Sequence, residues 1–192
     1  QDSPHYKDGT FHNLLPTQIG TENVSFFSTA FEYLVSSEQT APTDVLPTYE
    51  FEPIHLEEGE ISVTWFAHST ILVQTNQTNI LMDPIFGKDN MDPLFFGPSP
   101  FPFEHTYSVE NLPRIDHVLI SHDHYDHLDM DTIKALKGAT FHVPLGVKAH
   151  LVKWNIWSYD INEYDWYDSL ELNDNLSLTL TPSQHFSGRG LF

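Results

Sequence analysis

The sequence predicts an α/β fold, and three observations point there. Strand-like runs come first, between Glu60 and Met82; strand and helix patterns alternate after Asp116; and one apolar run ends abruptly in a cluster of histidines and aspartates. No internal repeat competes with this reading. Residues 1–55 carry scattered Pro and polar residues with weak periodicity, which predicts an N-terminal arm or irregular covering layer, and residues 56–192 then form the folded unit. Within the arm, Val24, Phe27, Phe31, Leu34 and Val35 recur at helical spacing. They predict a short amphipathic helix packed on the core, since the basic face of a membrane-surface helix is lacking.

The elements follow in order. Ile61–Phe66 and Thr70–Gln74 read as strands, joined to a third at Ile80–Met82 by a turn over Asn76–Asn79, so a meander enters the sheet. Between Pro84 and Pro113 lies a long loop rich in Phe, Pro and Gly, whose aromatic surface argues against disorder. Phe95 and Phe96 within it are candidates for the wall of an apolar substrate groove, a lid on the core being the other reading. Asp116–Ile120 is the next strand. Asp129–Gly138 reads as a helix, with acidic residues at its start, lysines near its end and Gly after it. A short strand at Thr140–Val143, a helix through Val147–Val152, and a hairpin of Ser169–Leu172 with Leu176–Thr181 complete the series.

The chemistry concentrates in Ser121-His122-Asp123-His124-Tyr125-Asp126-His127-Leu128, directly after Val118-Leu119-Ile120. Alternate residues of an extended segment point to one side, so His122 and His124 can converge on one ion while Asp126 and His127 turn toward a second. Imidazole nitrogen mixed with carboxylate oxygen suits zinc first, one or two ions, with iron or manganese as the other candidates. Asp123 faces the other way and is expected to hydrogen-bond a loop amide rather than accept a proton.

Composition narrows the function classes. A chain of 192 residues, 40% hydrophobic, is long enough for one domain with a core. Eight Lys and Arg against 27 Asp and Glu give a net charge of −19, which repels phosphate backbones and excludes nucleic acid as an expected partner. With no cysteine, every metal ligand must be His, Asp or Glu. No apolar stretch approaches the roughly 20 residues of a transmembrane helix, and no basic, then apolar, leader opens the chain. Because residue 1 is Gln, the chain reads as a mature or trimmed product, which permits a location in a bacterial cell envelope or periplasm without fixing it.

These residues resemble the metallo-β-lactamase-fold hydrolases. More narrowly, the chain looks like the branch containing N-acylphosphatidylethanolamine-hydrolysing phospholipase D and its bacterial relatives. Ser121–Leu128 fits the metal motif of the superfamily. Trp65-Phe66-Ala67-His68-Ser69-Thr70, where the branch usually has Gly in place of Ala67, and Leu81-Met82-Asp83-Pro84-Ile85-Phe86 fit the strand signatures of the branch. Asp165-Trp166, Thr181–Ser187 and Lys7–Asn13 fit its later and N-terminal segments, so the similarity runs through nearly the whole chain.

The resemblance implies an αβ/βα four-layer sandwich in which His122, His124 and His185 serve one metal and Asp126 and His127 the other, Asp126 being the catalytic carboxylate ligand. Asp83 and His68, at strand ends, are candidates to support the ligands from behind through their other ring nitrogens, a turn cap beside Pro84 being the other reading of Asp83. His5, His12, His55, His105, His117, His142 and His150 show no ligand spacing and are expected to be structural. Relatives continue through a second half that supplies a bridging aspartate and a last histidine, and no Asp or Glu follows His185. The resemblance therefore implies that residues 56–192 are the N-terminal αβ half of the domain, truncated before the second half, with a C-terminal half or second chain completing it.

The expected activity is hydrolysis by a zinc-bound hydroxide, on a phosphodiester in a small-molecule or lipid-like substrate. A lactonase or carboxyl-ester hydrolase is the first alternative, because fold does not fix substrate. A non-catalytic metal-binding fragment or half-subunit that needs a second polypeptide is the second.

Overall fold

A computed structural model describes residues 3–16, 25, 28, 31, 35, 41–87 and 100–189. Its centre is a six-stranded sheet of β3 (Ile61–Ala67), β4 (Thr70–Thr75), β5 (Asn79–Met82), β6 (His117–Leu119), β7 (Thr140–Pro144) and β8 (Ile161–Tyr164), adjacent in that order. β3, β4 and β5 pair antiparallel, and β5 through β8 pair parallel. Two smaller hairpins flank it: β1 (Tyr6–Lys7) with β2 (Thr10–Phe11), and β9 (Ser169–Asn173) with β10 (Leu176–Thr179). The mixed sheet and the α/β order match the fold class expected from the sequence.

Period-two patterning decides which side of the sheet is filled. Phe66, Leu72, Leu81, Val118, Phe141 and Val143 project to one face and pack with Leu128, Ile133, Leu136 and Leu151 into a single core. Ile133 and Leu136 come from α1 (Met130–Ala135) and its end, and Leu151 from α2 (Lys148–Lys153). Asp129 caps α1, its carboxylate accepting from the Thr132 N–H at 3.0 Å. On the opposite face, the β9–β10 hairpin stands over the β5–β7 end and encloses about 340 Å³ lined by Met82, Leu119, His142, Leu170 and Leu178. At the β3 end the same face leaves Ile61, Val63 and Trp65 exposed by 65%, 65% and 69%, the uncovered apolar surface that a single-layer sheet implies.

The sequence expectations met three differences. β8 has no counterpart among them, because Ile161-Asn162-Glu163-Tyr164 lacks alternation and gains its place by parallel pairing with β7. The arm is not wholly irregular, since it contains the β1–β2 hairpin. Asp8 and Gly9 between its strands have φ of 53° and 82°, the left-handed pair of a two-residue hairpin turn, so an Asp-Gly signal was present. Of the amphipathic helix, Ser28, Phe31 and Val35 are helical, but Phe31 and Val35 are 65% and 59% exposed rather than packed on the core; Val24, Phe27 and Leu34 lie outside the described residues, as do Phe95 and Phe96. Among the described residues no helix is long and apolar enough to cross a membrane.

Candidate metal centre

The site begins where β6 ends. Ile120 still donates its N–H to the His142 carbonyl at 3.1 Å, so the chain leaves the sheet in a fixed direction. The His127 and Leu128 N–H groups then turn back to the His124 carbonyl at 3.1 and 2.9 Å, and the fully buried Leu128 anchors the turn in the core. A second strand end supplies Asp83 just after β5, and the β3–β4 corner supplies His68. His185 arrives from beyond β10, on a stretch without regular secondary structure.

Two groups of ligand-type side chains result. His122, His124 and His185 offer nitrogens that all lie within 4.8 Å of one another, and His68, Asp126 and His127 form a second group within the same limit. The ring centroids of His122, His124 and His185 are 4.5 to 4.6 Å apart, and the His122 ring lies 4.1 Å from that of His127, so the two groups adjoin. His122 Nε2 and His124 Nε2 are buried and have no hydrogen-bond partner. Leaving such groups unpaired costs about 1–3 kcal/mol each, and a cation between them removes that cost. The donor set fits a metal ion.

Asp83 orders both groups. Its Oδ1 accepts the Ser121 N–H at 2.7 Å, and its Oδ2 accepts the Ser121 hydroxyl at 2.6 Å and lies 2.9 Å from His127 Nδ1. An ionised carboxylate only accepts, so His127 Nδ1 carries a proton, and in the neutral imidazole Nε2 keeps its lone pair. Ser121 Oγ, having donated to Asp83, accepts from His122 Nδ1 at 2.9 Å, which likewise leaves His122 Nε2 free. Ser69 Oγ lies 3.1 Å from His127 Nδ1. Neither serine stood out in the sequence, because a hydroxyl beside a histidine carries no spacing signal.

Charge follows the same arrangement. Burial, then the neighbouring imidazoles of His127, His124 and His185, push His122 down to about 4 against a smaller upward pull from Asp83. It is neutral at pH 7, as a ligand must be. Burial lowers His127, but the hydrogen bond and charge of Asp83 and the charge of Asp126 outweigh it and hold this imidazole above its ordinary value. Burial would raise Asp126; a backbone hydrogen bond and the imidazoles of His127, His68 and His124 outweigh that and hold its carboxyl below the usual range.

His68 stands closer to the chemistry than a supporting role requires. Its Nε2 is 3.1 Å from Asp126 Oδ2, and it belongs to the second ligand group itself. It adopts φ 46°, next to Ala67 at 144° and across the site from Asp83 at 41°, so three non-glycine residues with positive φ border the site. Of the histidines set aside as structural, His5, His12 and His150 line a cleft of about 680 Å³ that also exposes His122 and His185. His117 and His142 instead pair at 3.0 Å on the sheet, His142 continuing to the Tyr164 hydroxyl at 3.0 Å.

Comparison with known proteins gives a family match and several likenesses. Residues 78–192 match the model of the β-lactamase superfamily domain. Over its whole length the chain is 36% identical to an uncharacterized protein of Mycobacterium tuberculosis, covering 52% of it. It is 31% identical to N-acyl-phosphatidylethanolamine-hydrolyzing phospholipase D 1 of Caenorhabditis elegans, over 81% of this chain and 48% of that one. It is 27% identical to a metal-dependent hydrolase of Pyrobaculum neutrophilum, over 68% of this chain and 53% of that one. The chain thus spans about half the length of the curated relatives it matches.

Proposed function

The chain belongs to the β-lactamase superfamily domain family, and from that premise we propose that its protein is a metal-dependent hydrolase that cleaves a phosphodiester bearing an apolar substituent. The observation that carries the reading is the adjoining pair of ligand groups, with buried, unpaired nitrogens on His122 and His124. His122, His124 and His185 would hold one ion, and Asp126, His127 and His68 would surround a second. Zinc suits this mixture of nitrogen and carboxylate donors. Such an ion supplies Lewis-acid activation of a water and stabilises charge on the attacked oxygen.

The chain's own residues set the stage for that chemistry. Asp83 holds the proton on His127 Nδ1 and, through Ser121, on His122 Nδ1, which presents both Nε2 lone pairs inward. Asp126 stays ionised, and its Oδ2 lies 3.1 Å from His68 Nε2. The cleft beside His122 and His185 is walled by Phe11, Leu145, Val147, Trp166 and Phe186, a lining that suits an acyl or similarly apolar group. The phosphodiester assignment is supported by likeness to the nematode phospholipase.

The test compares full-length protein stripped with a chelator and then supplied with zinc, manganese or iron(II), acting on a glycerophospholipid diester and on a lactone. Faster diester turnover that returns with one of these ions is expected. Preferential lactone turnover would move the assignment to the carboxyl-ester class, and equal turnover in stripped protein would end the metal-dependent reading.

A further inference from the structure

His185 reaches the first ligand group on a stretch without regular secondary structure, so something outside the strands must fix it. Asn13 Nδ2 meets the His185 carbonyl at 3.4 Å, which is a weak tether. The stronger one follows immediately in sequence. The Ser187 hydroxyl donates to Asp123 Oδ2, and the Gly188 N–H donates to Asp123 Oδ1 at 3.2 Å. Arg189 Nε donates to the Asp123 carbonyl at 2.5 Å, and its terminal nitrogen donates to the Leu128 carbonyl. The guanidinium lies over the rings of Tyr125 and Trp154, 4.2 and 5.1 Å from their centroids. One planar fork therefore grips both ends of the His124–His127 turn and is itself held between two aromatic faces.

Gly188 shows how close this approach is. A Cβ there would lie 2.8 Å from His124 Nε2 and nearer still to its Cδ2, so the backbone at 188 is pressed against the His124 ring and only glycine fits.

We propose that Asp123, Gly188 and Arg189 form a clasp that positions His124 and His185 against each other, so that Arg189 sets the cation affinity of the first ligand group without touching the ion. Asp123 acts here through both carboxylate oxygens and its carbonyl, which is why it points away from the ligands on either side of it. The proposal rests on the metal-dependent reading above and deepens it.

Two measurements on the full-length protein separate the clasp from that reading. Zinc affinity is measured by competition with a chromophoric chelator, in wild type and in Arg189→Met, which keeps a long apolar stem against Tyr125 and Trp154 but removes both donors. A loss of about 10- to 100-fold at the first site is expected, as for other residues that orient metal ligands. Arg189→Lys, which restores charge but not the fork, should not recover it. The second measurement is nuclear Overhauser contact between the Gly188 α-protons and the His124 ring in metal-free protein, expected in wild type and lost in Arg189→Met. Should Arg189→Met unfold, Ser187→Ala and Asp123→Asn carry the same two expectations at smaller amplitude. Wild-type zinc affinity in the folded variants, or contacts that persist in them, overturns the clasp. Persistent clasp contacts in a wild type that binds no metal would instead overturn the hydrolase reading.

Discussion

Asp83 is the residue on which both ligand groups depend, because one buried carboxylate fixes the proton on His127 directly and on His122 through Ser121. Asp83→Asn keeps the volume but turns one acceptor into a donor facing His127 Nδ1. Zinc affinity is expected to fall by about 10- to 100-fold, read by chelator competition, with little change in the unliganded fold's circular dichroism; unchanged affinity would remove Asp83 from the site. A second residue titrates away from the site. Burial, then the nearby His117, push His142 down to about 4 from its ordinary 6.5, so the unfolded chain binds this proton more readily than the folded one. A depressed histidine stabilises the fold fully above its unfolded pKa, and the contribution is lost as pH falls from about 6.5 toward about 4. The thermal midpoint should therefore decline over that window. His142→Phe should start lower at pH 7, having lost the bonds to His117 and Tyr164, yet decline less steeply. Parallel curves would contradict the assignment. The grouping of His122 to His127 at one strand end was legible in sequence because these ligand-type residues lie within six positions and follow a buried strand. Arg189 was not, since a guanidinium bonding to main-chain carbonyls 61 and 66 residues away leaves no local pattern.

At the scale of elements, the β3–β4 corner carries the sharpest local conflict. The register shifts between Trp65 and Ala67, Ala67 stands at φ 144°, and His68 follows at 46°. An alanine at such a φ costs of order 1–3 kcal/mol, which accounts physically for the glycine usual at this position in the branch the chain resembles. Ala67→Gly is expected to raise stability by about 1 kcal/mol, seen as a higher midpoint in denaturant titration, and a lower midpoint would show that the methyl group packs. In the core, Phe141→Ala removes a fully buried ring from the strand between β6 and β8 and should cost about 3–5 kcal/mol in the same titration. Strands with alternation, such as β3 and β4, and the helix capped by Asp129 were readable before the structure. β8 was not, because pairing with β7 rather than side-chain pattern makes it a strand. The β1–β2 hairpin was missed despite its Asp-Gly turn, since two-residue strands give periodicity nothing to act on.

For the whole molecule, the fold and the site share one logic. Parallel strands β5 and β6 end on the same edge of the sheet, and the loops leaving that edge bring Asp83 and the His122–His127 cluster together. The β9–β10 hairpin then delivers His185 to that edge, and the exposed stripe of Ile61, Val63 and Trp65 lies toward the other end of the sheet. The functional reading turns on whether His122, His124 and His185 hold metal. Anomalous diffraction at the zinc edge, from a crystal of the full-length protein grown with zinc, decides it directly. A peak bonded by His122, His124 and His185 is expected, with a second beside Asp126 and His127; zinc bound elsewhere with no peak among these residues would overturn the metal centre.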